Sequence, residues 1–354
     1  MSDSLQALHE AHQAVLSDIA GKALPLGYGD FEGEVTAIEE GLGVLVMEAS
    51  ELLLVRGAEA EAFLNGLTTN DLKTLSTGAA QNNLLCGIKG KLLHHLLIVR
   101  SKAEEFLVIA EPGEGAAVAS HLERYHIREE LQLGTVGLLR VDLLGPLGAA
   151  ALEGLGLAPG ATQGEFAGGP LLAPSSPLGE LPRRLALLPA GNAPALVEAL
   201  LETSPQARLV GFEAFDEARL WAGMPRAGAD YGPDHLPAEA AIYDHISFDK
   251  GCYVGQEIHA RMHYRGHANR KLTGVTIPEQ DAAGLVAGSE LYLEQRAVGA
   301  LTSLSRLVRE GQRRGIAMLR CADIQERPLL AVTAGGPARV ALWALSSDLG
   351  VARA

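Results

Sequence analysis

The chain has 354 residues, a formal net charge of -14, 47% hydrophobic and 20% charged residues, a composition that excludes a disordered chain and is long enough for two or three domains. The excess of carboxylates argues against wholesale binding of a phosphate backbone, and no apolar run approaches the ~20 residues that span a bilayer. Met1-Ser2-Asp3-Ser4-Leu5 lacks the basic and apolar regions of a secretion signal, and the cysteines Cys86, Cys252 and Cys321 are odd in number and far apart, so a reduced, cytoplasmic protein is expected.

Taken in chain order, Leu5, Leu8, His12, Val15, Leu16 and Ile19 recur at helical spacing and predict an amphipathic helix over 5–20. Strands are predicted at Val44–Met47 and Leu52–Arg56, then a short helix to Leu67. In Leu67-Thr68-Thr69-Asn70-Asp71-Leu72 the polar residues suit a cap or turn. The apolar stretches Gln81–Ile88 and Leu92–Val99, joined by Lys89-Gly90-Lys91, predict a hairpin that carries His94 and His95 on its second strand. Strand and helix follow over 105–131, another strand at Leu138–Leu144, and a helix over 146–155. The Gly/Pro-rich stretch 156–184 reads as loop or short edge strands. A strand at Leu185–Leu188 and helices over 194–202 and 212–223 complete an alternation that fits two α+β layers. After residue 272 the chain becomes a string of short strands with Gly and polar turns, the mark of a small antiparallel β-barrel or sandwich.

The chemistry concentrates in Lys250-Gly251-Cys252-Tyr253-Val254-Gly255-Gln256-Glu257. With no further metal ligands at suitable spacing, Cys252 is a lone thiol: either a small buried hydrophobe or a nucleophile whose thiolate Lys250 favours and Glu257 opposes. Behind it His259, Arg261, His263, Arg265 and His267 alternate with Ala260, Met262, Tyr264 and Gly266, which as a strand puts all five on one face, either solvated or serving as an anion landing surface. His259, His263 and His267 also have the spacing of a helical metal site, but arginines lie between them and no carboxylate accompanies them, so no metal is expected.

The run Phe248-Asp249-Lys250-Gly251-Cys252-Tyr253-Val254-Gly255-Gln256-Glu257 resembles the signature of the YgfZ-type folate-binding proteins, relatives of the glycine-cleavage T-protein (aminomethyltransferase). Three other places resemble the T-protein family: Thr69-Asn70-Asp71, the pattern Arg219-x3-Gly223-x-Pro225-x2-Gly228-x-Asp230, and Arg265-Gly266. The resemblance implies an α+β, T-protein-like three-domain arrangement around a central channel: domain 1 from 1–50 plus 135–262, an inserted domain 2 at 51–134, and a C-terminal antiparallel β-barrel at 263–354. It further implies tetrahydrofolate as ligand, contacted by Asn70, Asn82, His95, Arg219, Tyr253, Gln256, Glu257, Arg261 and Arg265, with Cys252 as functional thiol poised by Lys250. Arg219 fits equally a folate carboxylate or an internal Asp.

Two departures bear on activity. The family's aspartate pair, one member of which acts at the methylene-transfer centre, is His94-His95 here, and Asn82 stands where the family has an aromatic that stacks on folate. An imidazole does not supply the negative charge that a developing iminium cation needs. The implied role is therefore a folate-binding accessory protein for assembly or repair of iron-sulfur enzymes, with client or assembly proteins as partners. The alternatives are a folate-dependent one-carbon (aminomethyl) transferase and an RNA-associated regulator of tRNA modification.

Overall fold

A computed structural model describes residues 3–293, 295–323, 329–333 and 336–346. Its contacts divide the α+β chain into two compact units, Met1–Asn83 with His94–Ala218, and Leu84–Leu93 with Arg219–Ala354.

The first unit opens with helix Asp3–Ala11, which buries Leu5 and Leu8. The helix expected to reach residue 20 stops there, and Val15–Ile19 pairs with Lys22–Gly27 as an antiparallel hairpin. The cause is backbone conformation: Gln13 and Ala20 sit at φ 56° and 53° with Gly21 at 80°, values that end a helix and form a tight turn. Helix Phe31–Glu40, absent from the sequence reading, starts where the Asp30 side chain accepts a hydrogen bond from the Gly33 N–H at 3.1 Å.

Two sheets follow. One has six strands in the order Gln163–Phe166, Gly169–Leu172, Arg183–Pro189, Leu138–Leu144, Leu42–Val46 and Ala207–Leu209. Its central strands Leu42–Val46 and Leu138–Leu144 are almost wholly buried, which is why they read as continuous apolar runs. The second has five, in the order Ala80–Cys86, Leu92–Lys102, Glu105–Ala110, Leu52–Arg56 and Gln132–Thr135. Leu52, Leu97, Val99, Leu107 and Ile109 of this sheet share a core with Leu185 and Leu187 of the other. Inside the unit the fully buried Asp142 accepts two hydrogen bonds of 2.6 Å from Arg140 and lies 3.6 Å from Arg183. Burial pulls Arg183 down to about 10 against the attraction of Asp142.

In the second unit six antiparallel strands run in the order Arg270–Pro278, Gln312–Arg320, Arg296–Leu304, Glu290–Leu293, Leu329–Thr333 and Gly336–Trp343. The sheet curls back on itself, since Ala341–Trp343 also pair with Gly274–Thr276. The unit includes the hairpin tip Leu84–Leu93 and helix Gln256–Arg265, and the expected start of a domain at residue 263 falls inside that helix. Among the described residues no helix is long and apolar enough to cross a membrane.

The buried ion pair gives a stability test. Asp142→Ala removes the directly bonded counter-charge of two buried guanidiniums, leaving them only the more distant Glu111, and is expected to cost about 3–5 kcal/mol in urea unfolding. Arg208→Ala, which breaks only the half-exposed pair with Asp30 and leaves the helix cap, should shift the urea midpoint far less than Asp142→Ala does.

Candidate functional site

The signature segment is built on one backbone approach. Gly255, at φ 88°, caps the start of helix Gln256–Arg265, and a Cβ there would lie 2.8 Å from the Gly87 carbonyl oxygen and 3.1 Å from Gly90 Cα. Gly90, at φ 72°, closes the hairpin turn with its N–H bonded to the Gly87 carbonyl at 2.8 Å, and a Cβ on it would meet Ile258 Cβ at 2.9 Å. Glycine is required at both positions by conformation and by space.

This helix overturns the expected basic strand. Gln256-Glu257-Ile258-His259-Ala260-Arg261-Met262 holds good helix formers and a single β-branched residue, Glu257 lies in the positive first turn, and Arg265 lies in the negative last one. The alternating residues therefore fan out around the helix. His259 is buried at 4% exposure, His263 stacks on Phe248 with centroids 4.0 Å and planes 14° apart, and Arg261 and Arg265 are exposed.

His259 is the residue whose role the sequence reading missed. Its Nε2 lies 2.7 Å from the Gly90 carbonyl oxygen and its Nδ1 lies 3.1 Å from the Tyr253 hydroxyl. A carbonyl can only accept, so Nε2 carries the proton and Nδ1 of the neutral ring accepts from Tyr253 O–H. Burial lowers the His259 pKa, partly offset by the bond to Gly90. Tyr253 shares an apolar cluster with Leu84, Cys86 and Leu92. Burial raises its phenol pKa, with the Cys86 thiol adding to the effect, and burial pushes Cys86 itself up to about 12.

Around this anchor lie the other residues of the segment. Lys250 is buried with its ammonium 5.2 Å from the centre of the Tyr253 ring, Tyr253 is buried, and Cys252 between them is exposed. The small buried hydrophobe that a lone cysteine commonly is describes Cys86 and does not describe Cys252. Gln256 and Glu257 form the first turn of the helix, half-buried and exposed respectively.

Arg219 resolves towards its structural alternative. It is 1% exposed, ion-paired with Asp230, and donates to Ser303 Oγ at 2.9 Å and to the Met224 carbonyl at 3.1 Å. Asp230 in turn accepts from Ser303 Oγ, Thr302 Oγ1 and the Arg226 N–H at 2.7, 2.5 and 2.9 Å. The family-like pattern from Arg219 to Asp230 thus closes on itself as a loop clasp.

In the first unit Asn70 and Asn82 come together: Asn70 Nδ2 donates to the Asn82 carbonyl at 3.1 Å, and the Asn70 N–H donates to Asn83 Oδ1 at 2.8 Å. His95 and His94 point to different carboxylates, His95 Nδ1 lying 2.7 Å from Glu111 and His94 Nδ1 2.8 Å from Glu114. Strand pairing of Leu96 with Ala110 brings Glu111 alongside His95. Each of the two adjacent imidazoles thus has its own carboxylate beside it.

Comparisons with known proteins fit this architecture. Residues 5–161 match the GCVT N-terminal domain. An aminomethyltransferase of Streptomyces avermitilis is 30% identical over 268 residues, covering 72% of each chain. One from Thermus thermophilus is 33% identical over 243 residues, 65% of this chain and 69% of that one. The solved structure of glycine cleavage system aminomethyltransferase T from Bartonella henselae superposes with a TM-score of 0.85 over 97% of both chains at 24% identity, a likeness of fold. The chain belongs to the aminomethyltransferase family.

The buried neutral His259 predicts an acid-side loss of stability. Its folded pKa lies below the ordinary 6.5, so its contribution is complete above about pH 6.5 and declines as pH falls below that towards the folded value. Between pH 7 and 5 the unfolding free energy of the wild type should fall more steeply than that of His259→Gln, by at most about 1.4 kcal/mol per pH unit for one proton. Parallel urea titrations of the two proteins measure the difference.

Proposed function

We propose that this chain is a tetrahydrofolate-binding accessory protein of the YgfZ type, whose Cys252 thiol serves the assembly or repair of iron-sulfur enzymes. The observation that carries this reading is the display of Cys252 to solvent between two buried residues, Lys250 and Tyr253. A thiol used only for packing is buried, whereas one that must meet a metal, a cluster or another sulfur has to be reached.

The residues fit a folate in part. Gln256 and Glu257 offer an amide and a carboxylate of the kind that pairs with a pterin edge, and Arg261 and Arg265, exposed one helical turn apart, suit the carboxylates of a glutamate tail. Arg219 and the Tyr253 hydroxyl are committed to internal partners, and Asn70 shapes its own loop. We assign folate recognition to the first four residues, all of which lie in the second unit.

A second reading, folate-dependent one-carbon (aminomethyl) transfer, is favoured by the family membership and by one observation: Glu111 beside His95. An imidazole held by a carboxylate is a competent general base, although it does not place bare negative charge where the family's aspartate does.

Calorimetric titration with tetrahydrofolate should show saturable binding that Cys252→Ala retains, while Cys252→Ala fails to restore iron-sulfur enzyme activity in cells lacking the protein. Full restoration by that variant would remove the thiol from the mechanism. Turnover of methylene-tetrahydrofolate with candidate amines and lipoyl protein above background, abolished by His95→Ala, would establish the transferase instead.

A further inference from the structure

The exposed thiol sits at the end of a chain of fixed contacts. On either side of Cys252 the backbone is anchored, by Lys250 at 8% and Tyr253 at 7% exposure. Tyr253 is held by its ring in the cluster with Leu84, Cys86 and Leu92, and by its hydroxyl on His259 Nδ1 at 3.1 Å. His259 is held by the Gly90 carbonyl at 2.7 Å, in a turn that is itself closed by the bonds Gly90 N–H to Gly87 O at 2.8 Å and Gly87 N–H to Lys91 O at 2.9 Å. The hairpin turn and the thiol loop are far apart in sequence, and the imidazole of His259 bonds to both at once. Each of its two nitrogens has one partner, so a single ring orientation makes both bonds at once.

We infer that His259 is a positioning residue for the Cys252 thiol, clamping the loop that displays it to the Gly87–Gly90 turn so that the thiol is presented in one fixed orientation. The inference rests on the proposed use of Cys252 but is measurable without it. It predicts that changes at the hairpin tip, which leave the signature intact, alter the behaviour of the thiol. Gly90→Ala does this through a Cβ driven against Ile258; on the helix, His259→Phe removes both bonds and leaves a somewhat larger aromatic ring in the site. Tyr253→Phe removes only the hydroxyl and leaves the packing in place.

The test is the rate of Cys252 alkylation by iodoacetamide, resolved by mass spectrometry so that Cys86 and Cys321 do not interfere, with a peptide spanning residues 249–257 as the unclamped reference. Amide hydrogen exchange is followed in residues 87–91 and 250–256 of the same samples. The wild-type rate should differ from that of the peptide by about threefold or more. His259→Phe should close most of that gap and speed exchange in both segments together, Tyr253→Phe should do so in part, and His259→Gln, whose amide can still donate to Gly90, should stay near the wild type. A wild-type rate equal to that of the peptide, or His259→Phe and Tyr253→Phe both keeping the wild-type rate and exchange, would overturn the clamp. Should His259→Phe fail to fold, Tyr253→Phe alone decides. Restoration of iron-sulfur enzyme activity by Cys252→Ala would remove the use of the thiol, and is read separately from the alkylation and exchange that test the clamp.

Discussion

The approach of two backbones, Gly255 to the Gly87–Gly90 turn, is the constraint on which the signature region depends. With a Cβ at either glycine the chains would overlap at about the 2.8–2.9 Å separations that real side chains do not tolerate, and both residues occupy left-handed backbone that glycine adopts at little cost. Once they are in contact, the helix beginning at Gln256 has its first turn fixed against the hairpin. One turn later His259 necessarily arrives at the Gly90 carbonyl. The glycines of a motif rich in reactive side chains thus do as much to define it as the thiol does.

The arginines divide by burial, and the buried ones hold the fold. Arg140, Arg183 and Arg219 are each nearly inaccessible and each meets a buried aspartate, Asp142 for the first two and Asp230 for the third. A guanidinium withdrawn from water is stable only with its charge matched and its donors used, and in the Arg219 clasp Asp230 is also met by two hydroxyls and a backbone N–H. Such a residue does not turn to meet an incoming carboxylate without unpairing its partner. A resemblance that equates positions in sequence cannot see this, because an arginine that binds a ligand and one that clasps a loop leave the same letter in the same pattern.

Much of the fold was legible because burial leaves a strong mark on composition. Leu138–Leu144 and Leu52–Arg56 appear as strands at the predicted positions, as does the hairpin on either side of Lys89-Gly90-Lys91. The failures have local causes. Hydrophobic spacing runs the first helix on through Gln13 because it carries no information about a positive φ, and it gives no signal for helix Phe31–Glu40, whose start is marked instead by Asp30 with Glu32 and Glu34. The tract from His259 to His267 carries both an alternation that suits a strand and a four-residue spacing that suits a helix, and propensity with the glycine before Gln256 decides for the helix that runs to Arg265. In the site, Cys252, Lys250 and Tyr253 could be picked out by proximity in sequence. Glu111 and His259 could not be assigned partners, since strand register brings the first to His95 and a hairpin turn distant in sequence receives the second.

That correction from strand to helix also decides which anions the surface can serve. As a strand, five titratable or cationic residues would have shared one face and made a continuous positive track. As a helix, His259 points inward, His263 is stacked on Phe248, and Tyr264 meets that stack edge-on with its centroid 4.7 Å from that of His263. Arg261 and Arg265 remain outward, a single turn apart and near the helix C-terminus, whose partial negative charge already favours them there. Affinity for a nucleic-acid backbone grows with the number of phosphates neutralised, and two guanidiniums in a protein of net charge -14 neutralise few. The pair of outward guanidiniums one helical turn apart is therefore a local charge cluster, and the continuous positive face that a strand would have made is absent from this helix.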